Sequence, residues 1–127
     1  MTAPEVLVVE DDERSAALID AMLAAGGYRS QRVASIAEAR ACLALGLPEV
    51  VLLDLRLPDG SGTSIAREIR ALPAGDAVLI LAVTASVLEA VRRDALDSGC
   101  DGFIEKPISP RDLLARIEKV RRARAFR

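Results

Sequence analysis

The sequence predicts an α/β fold in which five parallel strands form one sheet and five helices cover both of its faces. Short apolar runs alternate five times with segments of helical spacing along the 127 residues, which is the order of a doubly wound sheet. The run 50–53 has no polar-apolar alternation, as expected for a strand that is buried on both faces. The length fits one domain with a hydrophobic core.

The five predicted strands differ in polarity. The fourth is the most apolar, and the first and third are also almost purely apolar until their last residues. The second, with the sequence YRSQRVA, is more polar, so we expect it at an edge of the sheet. The strands are predicted at residues 5–10, 28–34, 50–54, 77–84 and 102–105.

The five predicted helices carry recognisable start and stop signals. Ser35 with Glu38 forms a capping box before the second helix, and Ser109 caps the last helix with Pro110 at its first position. The glycine pair 26–27 ends the first helix. The helices are predicted at residues 12–25, 37–45, 63–71, 87–98 and 110–124.

The composition disfavours several classes of protein. The chain has no histidine, and Cys42 and Cys100 stand without metal-ligand spacing, which disfavours a zinc site, a Ser-His-Asp hydrolase and a disulfide framework. The net charge of −2 is too small to argue for binding to nucleic acid or to a membrane surface. Because neither a signal peptide nor a run of about 20 apolar residues is evident, we expect a cytoplasmic protein.

Polar residues follow the apolar strands at the point where each strand ends. The first strand ends in Glu10, Asp11 and Asp12, the third in Asp54, the fourth in Thr84, and the fifth in Glu105 and Lys106. If the strand order is 2-1-3-4-5, these ends meet at one crevice beyond the sheet. Clustered carboxylates are relieved by a hard cation, while a lysine and a threonine hydroxyl suit phosphate oxygens.

Most of these residues also have an ordinary structural explanation when taken singly. Asp11 or Asp12 can cap the first helix, Thr84 can be a plain strand residue, and Lys106 can be a solvated lysine. Asp54 differs, because a carboxylate that closes an apolar central strand has no inexpensive structural role. The combination of all four strand ends therefore argues for function.

Four segments together carry a resemblance to a known family. They are VVEDDE, VVLLDLRLPDGSG, VTAS and GCDGFIEKPIS. Over about residues 5–120 the chain resembles the receiver domain of bacterial two-component response regulators, in particular the single-domain receivers of chemotaxis. The resemblance implies a flavodoxin-like (βα)5 sheet of order 2-1-3-4-5 and one receiver domain over residues 1–127.

The resemblance implies roles for the residues at the strand ends. Asp54 would accept a phosphoryl group, Lys106 would pair with that group, and Thr84 would give it a hydrogen bond. Thr84 and Phe103 would form a switch that alters the face made by the fourth helix, the fifth strand and the fifth helix. Phe103 stands where many relatives carry tyrosine, so its ring has no hydroxyl to hydrogen-bond. The 106–107 peptide bond, Lys-Pro, would be cis.

The resemblance also implies a Mg²⁺ site. Asp12 would bind the ion directly, and Asp11 would bind through water or act as its neighbour. Asp54 and the backbone carbonyl of Arg56 would be the further ligands. The ion would screen the approaching anions and, with Lys106, stabilise charge on the transferring group.

The function implied by the resemblance is acceptance of a phosphoryl group from a histidine kinase or a histidine phosphotransfer protein, followed by contact with a downstream protein. The product is an acyl phosphate, so the chain would catalyse only its own phosphorylation and dephosphorylation. It would be a standalone regulator, or a receiver excised from a hybrid histidine kinase or a multidomain regulator. We interpret the basic residues 119–127 as a solvated helix end, since arginine suits a helix C-terminus.

Three other functions are weaker interpretations. A haloacid-dehalogenase-type hydrolase also attacks through an aspartate at a strand end, but it needs a second aspartate where this chain has Arg56. A dinucleotide-binding loop is disfavoured because Ile65 stands where the third glycine belongs and the loop follows the third strand. A receiver that binds partners without phosphorylation is disfavoured because the acceptor, lysine and threonine positions are all filled.

Overall fold

The computed structural model describes residues 5–86 and 88–125. The strands along the chain are β1 (Val6–Val9), β2 (Ser30–Val33), β3 (Val50–Asp54), β4 (Arg56–Leu57), β5 (Gly60–Ser61), β6 (Leu79–Thr84) and β7 (Gly102–Glu105). Five of them form a parallel sheet in the order β2-β1-β3-β6-β7. Counting only these five, the order is 2-1-3-4-5, which confirms the prediction.

The helices begin and end close to the predicted residues. They are α1 (Glu13–Ala25), α2 (Ile36–Leu45), α3 (Thr63–Ala71), α4 (Glu89–Asp97) and α5 (Pro110–Ala125). Ser35 accepts a hydrogen bond from Glu38 N at 3.1 Å, and Ser109 accepts one from Asp112 N at 3.1 Å. The predicted capping residues of α2 and α5 therefore do satisfy free N–H groups at the two helix starts.

Alternate residues of the central strands pack on opposite faces of the sheet, because successive strand side chains point to opposite sides. Val51 and Leu53 of β3 lie in a cluster with side chains of α2, α3 and α4. Val50 and Leu52 lie in a second cluster with side chains of α1 and α5. Helices therefore cover both faces, and the purely apolar sequence of β3 follows from burial on both sides.

Several details differ from the prediction; β2, for example, spans Ser30–Val33 rather than 28–34. The fourth strand begins at Leu79 rather than at 77, because Gly75–Ala77 forms a 3₁₀ turn. The fourth helix begins at Glu89, and Val87 lies outside the described residues. The segment after β3, predicted as a loop, contains the short antiparallel hairpin of β4 and β5.

The basic end of α5 is solvated at Arg122, but two of its other arginines are anchored to the rest of the domain. The Arg121 guanidinium lies 5.6 Å from the centre of the Tyr28 ring and 3.7 Å from a carboxylate oxygen of Glu49. Arg124 donates a hydrogen bond to Asp101 Oδ1 at 2.7 Å. Residues 126 and 127 lie outside the described part of the chain.

Asp101 joins three elements just before β7. Its Oδ2 accepts hydrogen bonds from the Arg70 guanidinium and from Ile80 N, both at 2.9 Å, and its Oδ1 binds Arg124. Its side chain is mostly buried. The carboxylate therefore links α3, the start of β6 and the end of α5 on the side of the sheet where the strands begin.

Along the described residues, none of the helices combines the length and the apolar character that a bilayer crossing requires.

Candidate functional site

The polar strand ends meet in one cavity, as the sequence predicts. The cavity lies beyond the carboxyl ends of β1, β3, β6 and β7 and has a volume of about 490 Å³. It is lined by Glu10, Asp11, Asp12, Asp54, Arg56, Thr84, Ala85, Ser86 and Lys106. Four strands of one parallel sheet thus bring together residues that are up to 96 positions apart in sequence, from 10 to 106.

Asp54 is the last residue of β3 and is only 7% exposed. One of its carboxylate oxygens, Oδ1, accepts a hydrogen bond from Arg56 N at 3.0 Å. The other, Oδ2, accepts one from Lys106 Nζ at 3.3 Å. The buried strand therefore delivers this carboxylate to the cavity with its charge shared between a backbone N–H and an ammonium group.

Lys106 lies between two carboxylates. Its Nζ is 2.7 Å from Glu10 Oε1 and 3.3 Å from Asp54 Oδ2. Burial opposes the charged form, but the hydrogen bond to Glu10 and the charges of both carboxylates more than offset it and raise the pKa of Lys106. The ammonium is therefore charged at neutral pH. The peptide bond between Lys106 and Pro107 is cis, as the resemblance implies.

Glu10 is the member of the site that the sequence interpretation left without a role. It is 1% exposed, and its Oε2 accepts a hydrogen bond from Asp12 N at 3.3 Å. Burial and the neighbouring Asp54 carboxylate raise the pKa of Glu10 to about 7, although the hydrogen bond from Lys106 lowers it in part. A signal was present in the sequence, because Glu10 is the first carboxylate after the apolar run of β1.

Three carboxylates face one another closely enough to share a cation. One oxygen from each of Glu10, Asp11 and Asp54 lies within 4.8 Å of the others. Carboxylate oxygens are the ligands that Mg²⁺ and Ca²⁺ prefer. Burial, and after it the neighbouring Asp54 carboxylate, raise the pKa of Glu10, and a bound divalent ion would favour its charged form. The donor set therefore fits Mg²⁺.

Asp12 does not belong to this group of three, which revises the expected metal ligands. Its carboxylate accepts a hydrogen bond from Ser15 N at 2.8 Å and so caps the start of α1. The same bond holds the pKa of Asp12 below its usual value. Asp12 sits at the rim of the cavity, and its Oδ2 caps the helix. Of the two acids expected there, only Asp11 remains in the group, now with Glu10.

Thr84 and Arg56 lie at the cavity, whereas Phe103 lies outside it. Thr84 ends β6 and lines the cavity, and its Oγ1 accepts a hydrogen bond from Ser86 N at 3.0 Å, a bond that does not use the hydroxyl proton. Phe103 is half-buried on β7 beneath the Arg92 guanidinium, which is 4.4 Å from the ring centre. Arg92 also pairs with the carboxylate of Glu105. The predicted switch residues are therefore on adjacent strands, but only Thr84 faces the cavity.

Gly62 permits the close return of the chain behind Asp54. Its N–H donates to Leu55 O at 3.1 Å, and a Cβ at this position would stand 2.1 Å from the backbone oxygen of Asp54. Any larger residue would push β3 and α3 apart. The second glycine of the sequence PDGSG is thus required by packing rather than by chemistry.

The family assignment follows from comparison with known proteins. Residues 6–118 match the family model described as the response regulator receiver domain. The chain belongs to this family. The resemblance drawn from the four sequence segments is therefore confirmed, and the domain is a receiver of two-component signalling systems.

The most similar relatives include larger regulators. This receiver domain is 36% identical over 121 residues to the transcriptional regulatory protein GltR of Pseudomonas aeruginosa, covering 95% of this chain and 50% of that protein. It is 39% identical over 131 residues to the transcriptional regulatory protein AruR of the same species, covering 96% of this chain and 52% of that protein. The chain thus spans about half the length of these curated relatives.

Solved receiver structures share the fold over almost the whole chain. The receiver domain of a sensor histidine kinase from Pseudomonas aeruginosa PAO1, solved with magnesium in its active-site cleft, has a TM-score of 0.83 and 34% identity, covering 93% of this chain and 97% of that one. A CheY-like receiver from Methanospirillum hungatei has a TM-score of 0.85 and 28% identity, covering 99% and 100%. Both comparisons support the flavodoxin-like fold.

Proposed function

We propose that this receiver domain accepts a phosphoryl group on Asp54 from the phosphohistidine of a kinase or a histidine phosphotransfer protein. The observation that carries the proposal is the environment of Asp54. Its carboxylate is held at the end of a buried strand, opens on a cavity, and lies 3.3 Å from the ammonium of Lys106. A buried carboxylate with a cation beside it is suited to attack a phosphoryl group whose charge must be neutralised.

Glu10, Asp11 and Asp54 would hold Mg²⁺, with the backbone carbonyl of Arg56 as a further ligand. When bound, the ion supplies positive charge that screens the acceptor from the incoming phosphoryl oxygens. This assignment replaces Asp12 with Glu10, because Asp12 caps α1 while Glu10 faces Asp54. The magnesium found in the cleft of the related kinase receiver supports a cation in this kind of site.

Asp54, Lys106 and Thr84 would each have a separate role in the transfer of the phosphoryl group. An oxygen of Asp54 forms a bond to phosphorus while the phosphorus–nitrogen bond of the phosphohistidine breaks, and the imidazole leaves with that electron pair. Lys106 stabilises negative charge on the transferring oxygens. Thr84 donates its hydroxyl proton to one of them. Water then hydrolyses the acyl phosphate, which releases inorganic phosphate and restores the Asp54 carboxylate, so the domain turns over only its own phosphoryl group.

The donor protein would dock on an apolar groove beside the cavity. The groove has a volume of about 390 Å³ and shares Ala85 and Lys106 with the acceptor site. Leu18 and Met22 of α1 form one wall, and Ile108 forms the other. Because Leu18 is 60% exposed and the groove continues into the cavity, a helix seated there would present its phosphohistidine to Asp54.

The output surface would be the face of α4, β7 and α5. Phosphorylation would draw Thr84 toward the phosphoryl group and change the packing of Phe103, which lies on the next strand beneath Arg92. A downstream protein would read that change in a cytoplasmic setting. The most similar relatives are transcriptional regulators and one solved neighbour is the receiver domain of a sensor histidine kinase, so receivers similar to this one occur in both kinds of protein.

The test is phosphorylation by acetyl phosphate in the presence of MgCl2, followed by intact-protein mass spectrometry. The wild-type protein should gain the mass of one phosphoryl group, and Asp54→Asn should gain none. Equal labelling of Asp54→Asn would overturn the assignment. A haloacid-dehalogenase-type hydrolase would instead release phosphate from p-nitrophenyl phosphate over many turnovers.

A further inference from the structure

Asp59 links the segment that follows the acceptor strand to a different helix. It lies at the tip of the hairpin formed by β4 and β5. Its Oδ1 accepts a hydrogen bond from Ile36 N at 2.9 Å, and its Oδ2 accepts one from Ala37 N at 3.1 Å. These two N–H groups belong to the first turn of α2, where no partner exists within the helix. The carboxylate therefore fastens the hairpin to α2.

The base of the same hairpin is fastened to the acceptor. Arg56 N donates to Asp54 Oδ1 at 3.0 Å, and Arg56 pairs with Ser61 across the hairpin. The hairpin, residues 56–61, is thus held at its base by Asp54 and at its tip by α2. Arg56, whose carbonyl is a proposed Mg²⁺ ligand, lies between the two attachments.

The packing between the hairpin and α2 is close. Leu57 and Ile36 are both buried in the same core cluster. Gly60 has a φ of +141°, and a Cβ at this position would be 3.2 Å from Ile36 Cδ1. Gly60 of the hairpin therefore lies close to the Ile36 side chain of α2, and the two hydrogen bonds of Asp59 fix the position of the hairpin along the helix start.

We propose that Asp59 is a positioning residue for the metal and phosphoryl site. This inference rests on the proposed function, because it concerns the same Mg²⁺ ligands. Asp59 does not touch the ion. It holds the hairpin so that the Arg56 carbonyl stands ready at the cavity, and without it the carbonyl must be ordered when the ion binds. Groups that orient metal ligands affect metal affinity even though they make no contact with the metal.

The chain provides a matched control for the capping role of Asp59. Ser35 also caps α2, through the hydrogen bond from Glu38 N to its Oγ, but it does not belong to the hairpin. Asp59→Ala and Ser35→Ala therefore both remove caps from the same helix. Only Asp59→Ala also frees the hairpin. Asp59→Asn keeps one acceptor oxygen and serves as the milder variant.

The experiment is a titration with MgCl2 alone, followed by amide chemical shifts at a temperature where every variant gives the spectrum of a folded protein. We expect the Kd for Mg²⁺ to rise about tenfold in Asp59→Ala, by less in Asp59→Asn, and to stay within about twofold of wild type in Ser35→Ala. If Asp59→Ala does not fold, the comparison of Asp59→Asn with Ser35→Ala decides.

Two results would overturn the inference. One is a Kd in the Asp59 variant within about twofold of wild type, and the other is an equal loss of affinity in Ser35→Ala, which would assign the effect to α2 stability. Failure of the proposed function is distinguishable from both. In that case the wild-type protein itself binds no Mg²⁺ at this site or takes no phosphoryl group on Asp54.

Discussion

Replacing Glu10 by glutamine should stabilise the metal-free protein at alkaline pH and leave it almost unchanged at acid pH. Glu10 is buried against Asp54, and its pKa is raised from 4.5 to about 7. At about 1.4 kcal/mol for each pKa unit, this shift corresponds to about 3 kcal/mol of unfolding free energy. Glutamine is nearly isosteric and carries no charge, so it avoids this cost.

The sign follows from proton binding. The folded state holds the Glu10 proton more tightly than the unfolded state, so protonation favours folding. The contribution of Glu10 to stability is fully present below about pH 4.5, declines as the pH rises, and is lost above about pH 7. The difference between Glu10→Gln and wild type should therefore grow across this window. Loss of the Glu10 partner of Lys106 reduces the gain, so about 3 kcal/mol is an upper limit.

The assay is urea unfolding followed by far-UV circular dichroism at pH 5 and pH 8, in EDTA and again in excess MgCl2. Glu13→Gln, at an exposed glutamate of α1, is the matched control and should differ from wild type by less than about 0.5 kcal/mol at both pH values. Excess Mg²⁺ should narrow the difference at pH 8, because the ion binds and stabilises the folded wild type. A stability difference that is the same at pH 5 and pH 8 in EDTA would refute the reasoning.

Three further predictions concern docking, stability and thiol chemistry. Leu18→Glu should slow phosphotransfer from a phosphohistidine protein and leave labelling by acetyl phosphate unchanged. The control Leu45→Glu, at a 77% exposed leucine at the end of α2, should slow neither reaction. Equal slowing of phosphotransfer from the protein donor by both variants would exclude the groove as the docking site. Asp101→Ala should lower the free energy of unfolding by about 2–3 kcal/mol in urea titrations, because it leaves two half-buried guanidinium groups and a backbone N–H without their acceptor. A loss below about 0.5 kcal/mol would contradict this prediction. Burial raises the pKa of the Cys100 thiol to about 12, so this thiol should react with a thiol-specific disulfide reagent at pH 8 only after unfolding in urea. The measurement uses the Cys42→Ser variant, in which Cys100 is the remaining cysteine, and rapid reaction of its native state would contradict the prediction.

The main outline of the fold follows from patterns that are local in sequence. Apolar runs of strand length alternate with segments of helical spacing, and capping residues such as Ser35 and Ser109 mark the helix starts. These signals act within a few residues, so they can be recognised without the tertiary structure. The hairpin of β4 and β5 was missed because each of its strands has only two residues, too few for a periodic pattern.

The candidate site was predicted in its composition but not in all of its assignments. The convergence of Asp54, Thr84 and Lys106 follows from parallel strands that end at one edge. Which of the consecutive acids Glu10, Asp11 and Asp12 face Asp54 and which one caps α1 does not follow from the sequence, because all three side chains are carboxylates. The path of the backbone after β1 determines these roles, since it places the Glu10 carboxylate near Asp54 and Asp12 at the N-cap of α1.

The sequence by itself predicted the alternation of strands and helices and the polar strand ends, because these patterns are local in the chain, and the four segments that resemble receiver domains predicted the family and the strand order. The tertiary structure alone decided the partners of single charged groups. Asp59 reaches a helix 22 positions earlier in the chain, and Asp101 binds Arg70 and Arg124 from two other helices. Such contacts depend on how the helices pack on the sheet, and no local pattern specifies that distance or direction.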